Sequence, residues 1–410
     1  MARSEKPGVA PPPAELGRTA PPGERPPADE EETWEPAPPS GPPAPAIEAR
    51  PAPAEGKQFS CANCGAGMKF SPGAVSLTCE YCGHRLEIPQ SEQDVQELSF
   101  QKYFEAGNVA EEVLHGVEGE TRCSGCGAMV EVRTSVSHDN CPFCGTHLTN
   151  AIESARPMMR PGAVLPFKIE RNDARGYFAR WVKSRWFAPG DFKKLDRLDR
   201  INGIYVPYWT YDSMTFTFYT GMRGDAYYVT VGHGKNRTRQ RRIRWRPVSG
   251  HINHFFDDVL VCGSRSLPEK YVRALEPWDL KAAAPYDEAY LSGFQTERYQ
   301  VSAVEGFQEA RRIMDDEIGR MVRRDIGGDE QRITSMHTQC EGITFKLLLL
   351  PVWLAVYRYK DKPFRVMVNA RSGEVRGERP WSAAKIAAAV LAALVVLIPV
   401  VHLIILEATR

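Results

Sequence analysis

The sequence predicts a multidomain α+β chain: two small tandem β modules, one larger α+β domain and one C-terminal transmembrane helix. Three observations predict it. Four Cys-x-x-Cys knuckles fall in two matched pairs. Residues 160–380 mix runs of period-two alternation with one strongly amphipathic helical stretch. Residues 386–406 carry no charge at all.

Residues 1–56 hold 16 of the 32 prolines, with many Ala and Glu and a single Trp. Such a stretch cannot bury a core, so it reads as a disordered, extended N-terminal tail. Its simplest role is a spacer, although PPSGPPAP has the composition of a polyproline ligand. The opening MARSEKPGVAPPP has no apolar core, so no signal peptide is expected there.

Cys61 and Cys64 are followed by Cys79 and Cys82; Cys123 and Cys126 are followed by Cys141 and Cys144. In both units 14 residues separate the knuckles, and the second unit repeats the first at an offset of 62. The flanks repeat too: CANCGA against CSGCGA, and CEYCGHRL against CPFCGTHL. A zinc ion prefers four thiolates in a tetrahedron, and each knuckle supplies two from one tight turn. Gly65, Gly83, Gly127 and Gly145 suit a backbone that must turn sharply. MKFSPGAVSLT and MVEVRTSVSH, between knuckles, alternate as short strands do. Each unit is therefore expected to be a zinc ribbon, at 57–90 and 121–150, with two structural zinc ions in all. Four thiolates leave no open position for substrate. A disulfide framework is the rival, and it needs an oxidising compartment. A helical linker, starting near Ser91, is expected over 91–120.

The domain at 160–380 is long enough for one sizeable core. GAVLPFKI at 162–169 reads as a strand. Residues 172–187 read as a helix capped by Asn172 that buries Phe178, Trp181 and Val182. Residues 203–231 alternate as paired strands. Ser302 and Glu305 form a capping box for a helix whose stripe is Phe307, Ala310, Met314, Ile318 and Met321. Arg323 and Arg324 suit its negative end, and Gly327–Gly328 stop it. Residues 343–359 and 364–375 read as closing strands, with a Ser-Gly turn at 372–373. LPF, VPYW and LPVW place prolines at 166, 207 and 351, which predicts edges, strand starts or bulges.

HINHFFDD offers a candidate second metal site in His251, His254 and Asp258, with Asp257 beside them. The three share a face only on a helix; on a strand His251 and His254 part company. The flanking PVSG and VLVCGS favour strand, and turn-ending aspartates are the simpler reading. Lys235, Arg237, Arg239, Arg241, Arg242 and Arg244, with Trp245, form the strongest basic run. On a hairpin they would point to both faces and could grip an anionic partner, nucleic acid or lipid. A charged edge strand that resists aggregation is the alternative. Cys262 and Cys340 lack a neighbouring base and read as structural. The chain has no GxxxxGK[ST], GxSxG or HExxH, so no enzyme is expected. A net charge of +1 over 410 residues points to no bulk polyanion partner.

Residues 386–406 would reach ~32 Å as a helix, enough for a hydrocarbon core of ~30 Å. Pro399 is expected to kink it, and His402 falls near its far end. Arg371, Arg376, Arg379 and Lys385 precede the span, and Arg410 follows it. The positive-inside rule then puts the bulk of the chain in the cytoplasm, as a single-pass, tail-anchored protein of the inner membrane. Trp381 sits where an interfacial anchor would. A reducing cytoplasm suits thiolate ligands.

With these elements in place the chain resembles the bacterial membrane-anchored zinc-ribbon proteins. These are labelled for a TFIIB-type ribbon, or as primosomal or replication-factor-like. The residues that carry the resemblance are the CxxCG pairs, GIYVPYWTYD, FDDVLV, LEPWDL, YLSGFQTERYQ, RRDIGGDEQRI, TFKLLLLPVWLAVYRY and VNARSGEVRGERPWS. It spans about 57–406. The resemblance implies a membrane adaptor with a protein partner, associated with stress systems that include SPFH and phage-shock proteins. A membrane-tethered nucleic-acid-binding ribbon protein is the alternative. The Pro-rich tail and the arginine-dense hairpin depart from the family pattern.

Overall fold

A computed structural model describes residues 59–89, 95–105, 111–112, 117–133, 140–148, 158–190, 192, 201–233, 237–359 and 362–408. The Pro-rich tail and Lys235 lie outside these residues, as does the side chain of His402. In chain order, the first cysteine unit carries β1 (Met68–Phe70), β2 (Ser76–Cys79) and β3 (Arg85–Glu87). Then come β4 (Leu98–Ser99), α1 (Phe100–Glu105), β5 (Glu111–Glu112), β6 (Val117–Arg122), β7 (Met129–Arg133), β8 (Met158–Met159) and β9 (Ala163–Val164). The larger elements are α2 (Arg171–Lys183), β10 (Ile201–Val231) and β11 (Thr238–Cys262). They are followed by α3 (Glu269–Arg273), β12 (Ala284–Pro285), β13 (Gln295–Thr296) and α4 (Ala303–Ile326). The chain closes with β14 (Glu330–Tyr359), β15 (Lys362–Asn369), β16 (Val375–Gly377) and α5 (Ala383–Ala408).

The fold is mixed α+β around one large sheet of order β11-β10-β14-β15-β16, with β4, β9, β12 and β13 attached. Three strands dominate it. β10 pairs with β11 from Tyr208↔Cys262 out to Val231↔Thr238, and with β14 from Ile201↔Ala355 to Gly224↔Glu330. Thirty-one residues of β10 make ~100 Å of strand contour. The near half is covered on both faces; the far half is a three-stranded arm.

The burial pattern follows from this. Leu347, Leu348, Leu349 and Leu350 are all buried, because successive side chains enter cores on opposite faces of the sheet. One core stacks Phe167 on Phe294 at 4.0 Å, with Tyr205 and Trp353 edge-on. Another lies under α4, whose Ala310, Met314, Ile318 and Val322 are buried against Trp209, Tyr211 and Phe345. The larger of these apolar side chains, such as Met314, Ile318, Val322 and Phe345, each contribute ~1.5–3 kcal/mol by leaving water. Cysteines and apolar residues of both cysteine units belong to these same cores, and Pro53–Arg410 group as one compact unit.

α4 has the expected capping box, and Gly327 caps its end with φ 64°. α2 is shorter than expected. Glu170, not Asn172, is its N-cap, and it stops at Lys183, after which the chain turns toward α5. Trp181 is half-buried rather than buried. Among the described residues of the linker, helix covers only the six residues of α1, because Leu98 and Ser99 first pair with β14.

Pro207 and Pro351 lie inside long central strands. Each avoids a lost bond by facing a gap where the neighbouring strand changes. The Pro207 carbonyl accepts from Gly263 N at 2.8 Å, just past the end of β11, while Tyr205 already faces β13. The Pro351 carbonyl accepts from Ala370 N at 3.1 Å, just past the end of β15. A missing N–H costs little at such a switch point.

Candidate metal centres and charged surfaces

The four knuckles share one turn. Gly65, Gly83, Gly127 and Gly145 have φ between 71° and 76°. Each donates its N–H to the carbonyl of its knuckle's first cysteine, at 2.8–2.9 Å. The first cysteine's own N–H reaches across to Ala66, His84, Ala128 or Thr146. Any other residue at these glycines would be strained.

This turn gathers two groups: Cys61, Cys64, Cys79 and Cys82, and Cys123, Cys126, Cys141 and Cys144. Within each group all four Sγ atoms lie within 4.8 Å of one another. The closest pairs are Cys61–Cys82 at 3.4 Å and Cys64–Cys79 at 3.5 Å, and Cys123–Cys144 at 3.4 Å and Cys126–Cys141 at 3.6 Å. Thiolates ~2.3 Å from a tetrahedral ion stand ~3.8 Å apart, whereas a disulfide needs ~2.05 Å. All ten cysteines are free thiols. Both groups could therefore hold a four-coordinate ion, with every position filled by the chain. The thiols already respond to one another. The His84 backbone N–H, then Cys61, hold Cys82 down to about 6. Cys141 holds Cys126 down to about 5, while Cys126 and burial push Cys141 far up.

The two centres differ in setting. The first docks through β1, where Phe70 N donates to Ser292 O at 3.0 Å and the Ser292 hydroxyl donates to Met68 O at 2.7 Å. Its outer side, with Cys64 and Cys82, is exposed. The second is embedded. Cys123, Cys141 and Cys144 are buried, Val130 bridges to Glu297, and Arg298 pairs with the fully buried Glu120 at 2.7 Å. Burial raises the Glu297 carboxyl to about 8. In the first unit β1 and β2 form the hairpin between knuckles. In the second, β7 pairs with the upstream β6, and residues 134–139 fall outside the described ones.

His251, His254 and Asp258 do not converge. Their segment is strand: His251 stands opposite Phe218 on the open face, while His254 stands opposite Thr215 and packs edge-on against Phe256 at 4.6 Å. Asp258 instead belongs to an acidic cluster with Glu97 and Asp212, which sequence reasoning missed. A bulge after Tyr211 sets Asp258 at φ 51°, where its N–H donates to Asp212 Oδ1 at 2.6 Å. Lys346 Nζ donates to Asp258 at 2.7 Å and to Glu97 at 2.8 Å. Burial and the adjacent Glu97 raise Asp212 to about 6. Glu97 sits 115 residues before Asp212, so no local spacing could have signalled the cluster.

The basic run lies at the arm's far end. Arg239 and Arg241 face one way and Arg242 and Arg244 the other, as their partners Thr230, Tyr228, Tyr227 and Asp225 alternate. Arg241 pairs with Glu330 at 2.8 Å; Arg239, Arg242 and Arg244 pair with no carboxylate among the described residues. Arg237 is exposed just before β11. Trp245 is not open for stacking. Its ring lies on Gly224, and the Arg332 guanidinium covers it at 4.1 Å. Burial pushes the Cys262 thiol up to about 12, which suits a structural role and not a nucleophile.

α5 is long and apolar enough to cross a bilayer. Its Ala383–Val401 stretch has mean hydropathy 2.6, and none of it is buried in the protein. Pro399 falls inside the helix.

The chain is similar to the uncharacterized protein YdjG of Bacillus subtilis (strain 168), at 24% identity over 333 residues. The alignment covers 80% of this chain and 92% of that protein. No family model matches, and no solved structure matches.

Proposed function

We propose that this chain is a membrane-anchored, non-enzymatic zinc adaptor that docks a cytoplasmic protein partner. The observation that carries it is one compact unit with two tetracysteine groups packed on a sheet, from which an exposed apolar helix emerges. Zinc is the ion that suits four thiolates in a tetrahedron without redox chemistry. Both ions would be structural, since no ligand position remains for substrate. α5 would cross the inner membrane once, with the bulk of the chain on the cytoplasmic side. The resemblance to ribbon-plus-anchor proteins suggests a place in membrane-stress response. Co-purification from detergent extracts of native membranes tests the reading. A stable membrane-associated partner is expected, and it should be lost when Cys123 and Cys126 become Ser. Recovery of no partner under any condition contradicts it.

A second reading, nucleic-acid binding, is favoured by the arm, where Arg239 on one face and Arg242 and Arg244 on the other pair with no carboxylate among the described residues. Phosphate contacts would make binding fall steeply with salt. The covered ring of Trp245 removes the stacking contact this reading would use. Full chain in detergent that ignores DNA and RNA at low salt would rule it out.

A further inference from the structure

The segment that leaves α2 returns to the start of α5, almost two hundred residues later in the chain. Ser382 N donates to Phe187 O at 2.8 Å. Lys385 Nζ donates to Ala188 O at 2.7 Å and to Trp186 O at 3.4 Å. The rings of Phe187 and Trp381 lie 6.4 Å apart. The span is therefore strapped to the sheet domain at its first turn, with two of the lysine's three donors given to that strap.

The strap leaves two tryptophans outside it, Trp186 at 75% exposure and Trp381 at 58%. Arginines flank both. The Arg379 guanidinium lies over the Trp381 ring at 4.2 Å, and Arg185 lies over Trp181 at 5.0 Å. Burial, then Arg379 and Arg376, hold the Arg185 guanidinium below its usual range. Arg376 pairs with Glu374 at 2.8 Å, whereas Arg185 and Arg379 pair with no carboxylate among the described residues; Arg185 Nε and Nη2 donate to the Ser184 hydroxyl at 3.0 and 2.8 Å, an exposed contact that a phosphate oxygen can replace.

We infer that Arg185, Trp186, Arg379 and Trp381 form a collar that binds the phosphate headgroups of anionic phospholipid where α5 enters the bilayer. The inference rests on α5 crossing a membrane. Indole rings settle at the headgroup level, with an apolar body and a polar tip. Guanidinium groups match phosphate oxygens bidentately. The collar is continuous with the start of the apolar helix, so a spanning α5 carries it to that depth. The arginine arm tip is not part of this surface. It lies at the other end of β10, ~100 Å of strand contour from Ile201.

The test uses full chain reconstituted into vesicles of phosphatidylcholine alone, or of phosphatidylcholine and phosphatidylglycerol in equal parts. The fluorescence difference between wild type and Trp186→Phe isolates Trp186. Lipid brominated close to the headgroup should quench that difference signal, more strongly with phosphatidylglycerol present. The double variant Arg185→Gln/Arg379→Gln should still float with the vesicles but lose the phosphatidylglycerol dependence. A Trp186 signal untouched by brominated lipid and open to aqueous iodide, in protein that floats, overturns the collar alone. Protein that does not float overturns the spanning helix and the collar with it.

Discussion

Ser292 holds the first cysteine unit by donating its hydroxyl to the Met68 carbonyl oxygen at 2.7 Å. That bond fixes the side of the unit away from its outer knuckle cysteines, so Cys64 and Cys82 face solvent. The second unit has three buried cysteines and a buried ion pair around it. The two centres thus share a turn geometry but differ in access.

Metal release should therefore be biphasic. A competing chelator is expected to strip one ion per chain quickly and the other only as the protein opens. Cys64→Ser should remove the fast phase and leave the slow phase intact. Absorbance of a metallochromic chelator reports both. A single phase for both ions would contradict the difference in setting.

The acidic cluster should write itself into the pH dependence of stability. Asp212 holds its proton up to about 6 in the folded chain, above the ordinary value of 3.8. In the window between those values the folded state binds more protons than the unfolded one, so this group's contribution falls as pH rises. Asp212→Asn should flatten that fall, by on the order of 1–2 kcal/mol. Thermal unfolding of both proteins across the same window, read as a difference, checks it. The difference cancels the separate loss of metal in acid.

Gly306 should not tolerate a side chain. A Cβ there would stand 2.4 Å from the Tyr211 hydroxyl and 3.1 Å from Trp209. The Tyr211 hydroxyl cannot easily retreat, because it donates to the Ala303 carbonyl. Gly306→Ala should cost ~1–3 kcal/mol through forced movement of α4. Denaturant unfolding measures it, and an unchanged midpoint would show that α4 shifts freely.

Arg242→Gln/Arg244→Gln should leave stability within ~0.5 kcal/mol, since both side chains are exposed. The same variant should elute from an immobilised polyanion at lower salt. Equal elution would mean that the arm tip is a solvated edge and grips nothing.

Much of this was legible from local pattern. The knuckle spacing located both cysteine centres, and Ser302, Glu305 and Gly327 bounded α4. The apolar run located α5. Other features escaped because they depend on distant pairing. Residues 330–342 continue β14 along the arm, where Ile333, Met336 and Thr338 turn toward α4 and a register shift between Ile333 and Ser335 breaks the alternation that would mark a strand. Glu97, Asp212, Asp258 and Lys346 meet only through sheet register and a bulge. Trp186 reads as the tail of a helix until Lys385 pins its carbonyl beside α5.

The most direct test of the account is metal analysis of full chain extracted from the carbonate-resistant membrane fraction, combined with X-ray absorption at the zinc edge. Two zinc ions per chain, each with four sulfur neighbours at ~2.3 Å, are expected. A chain found in the soluble fraction, or one without zinc, or one whose zinc carries oxygen or nitrogen neighbours, would contradict it.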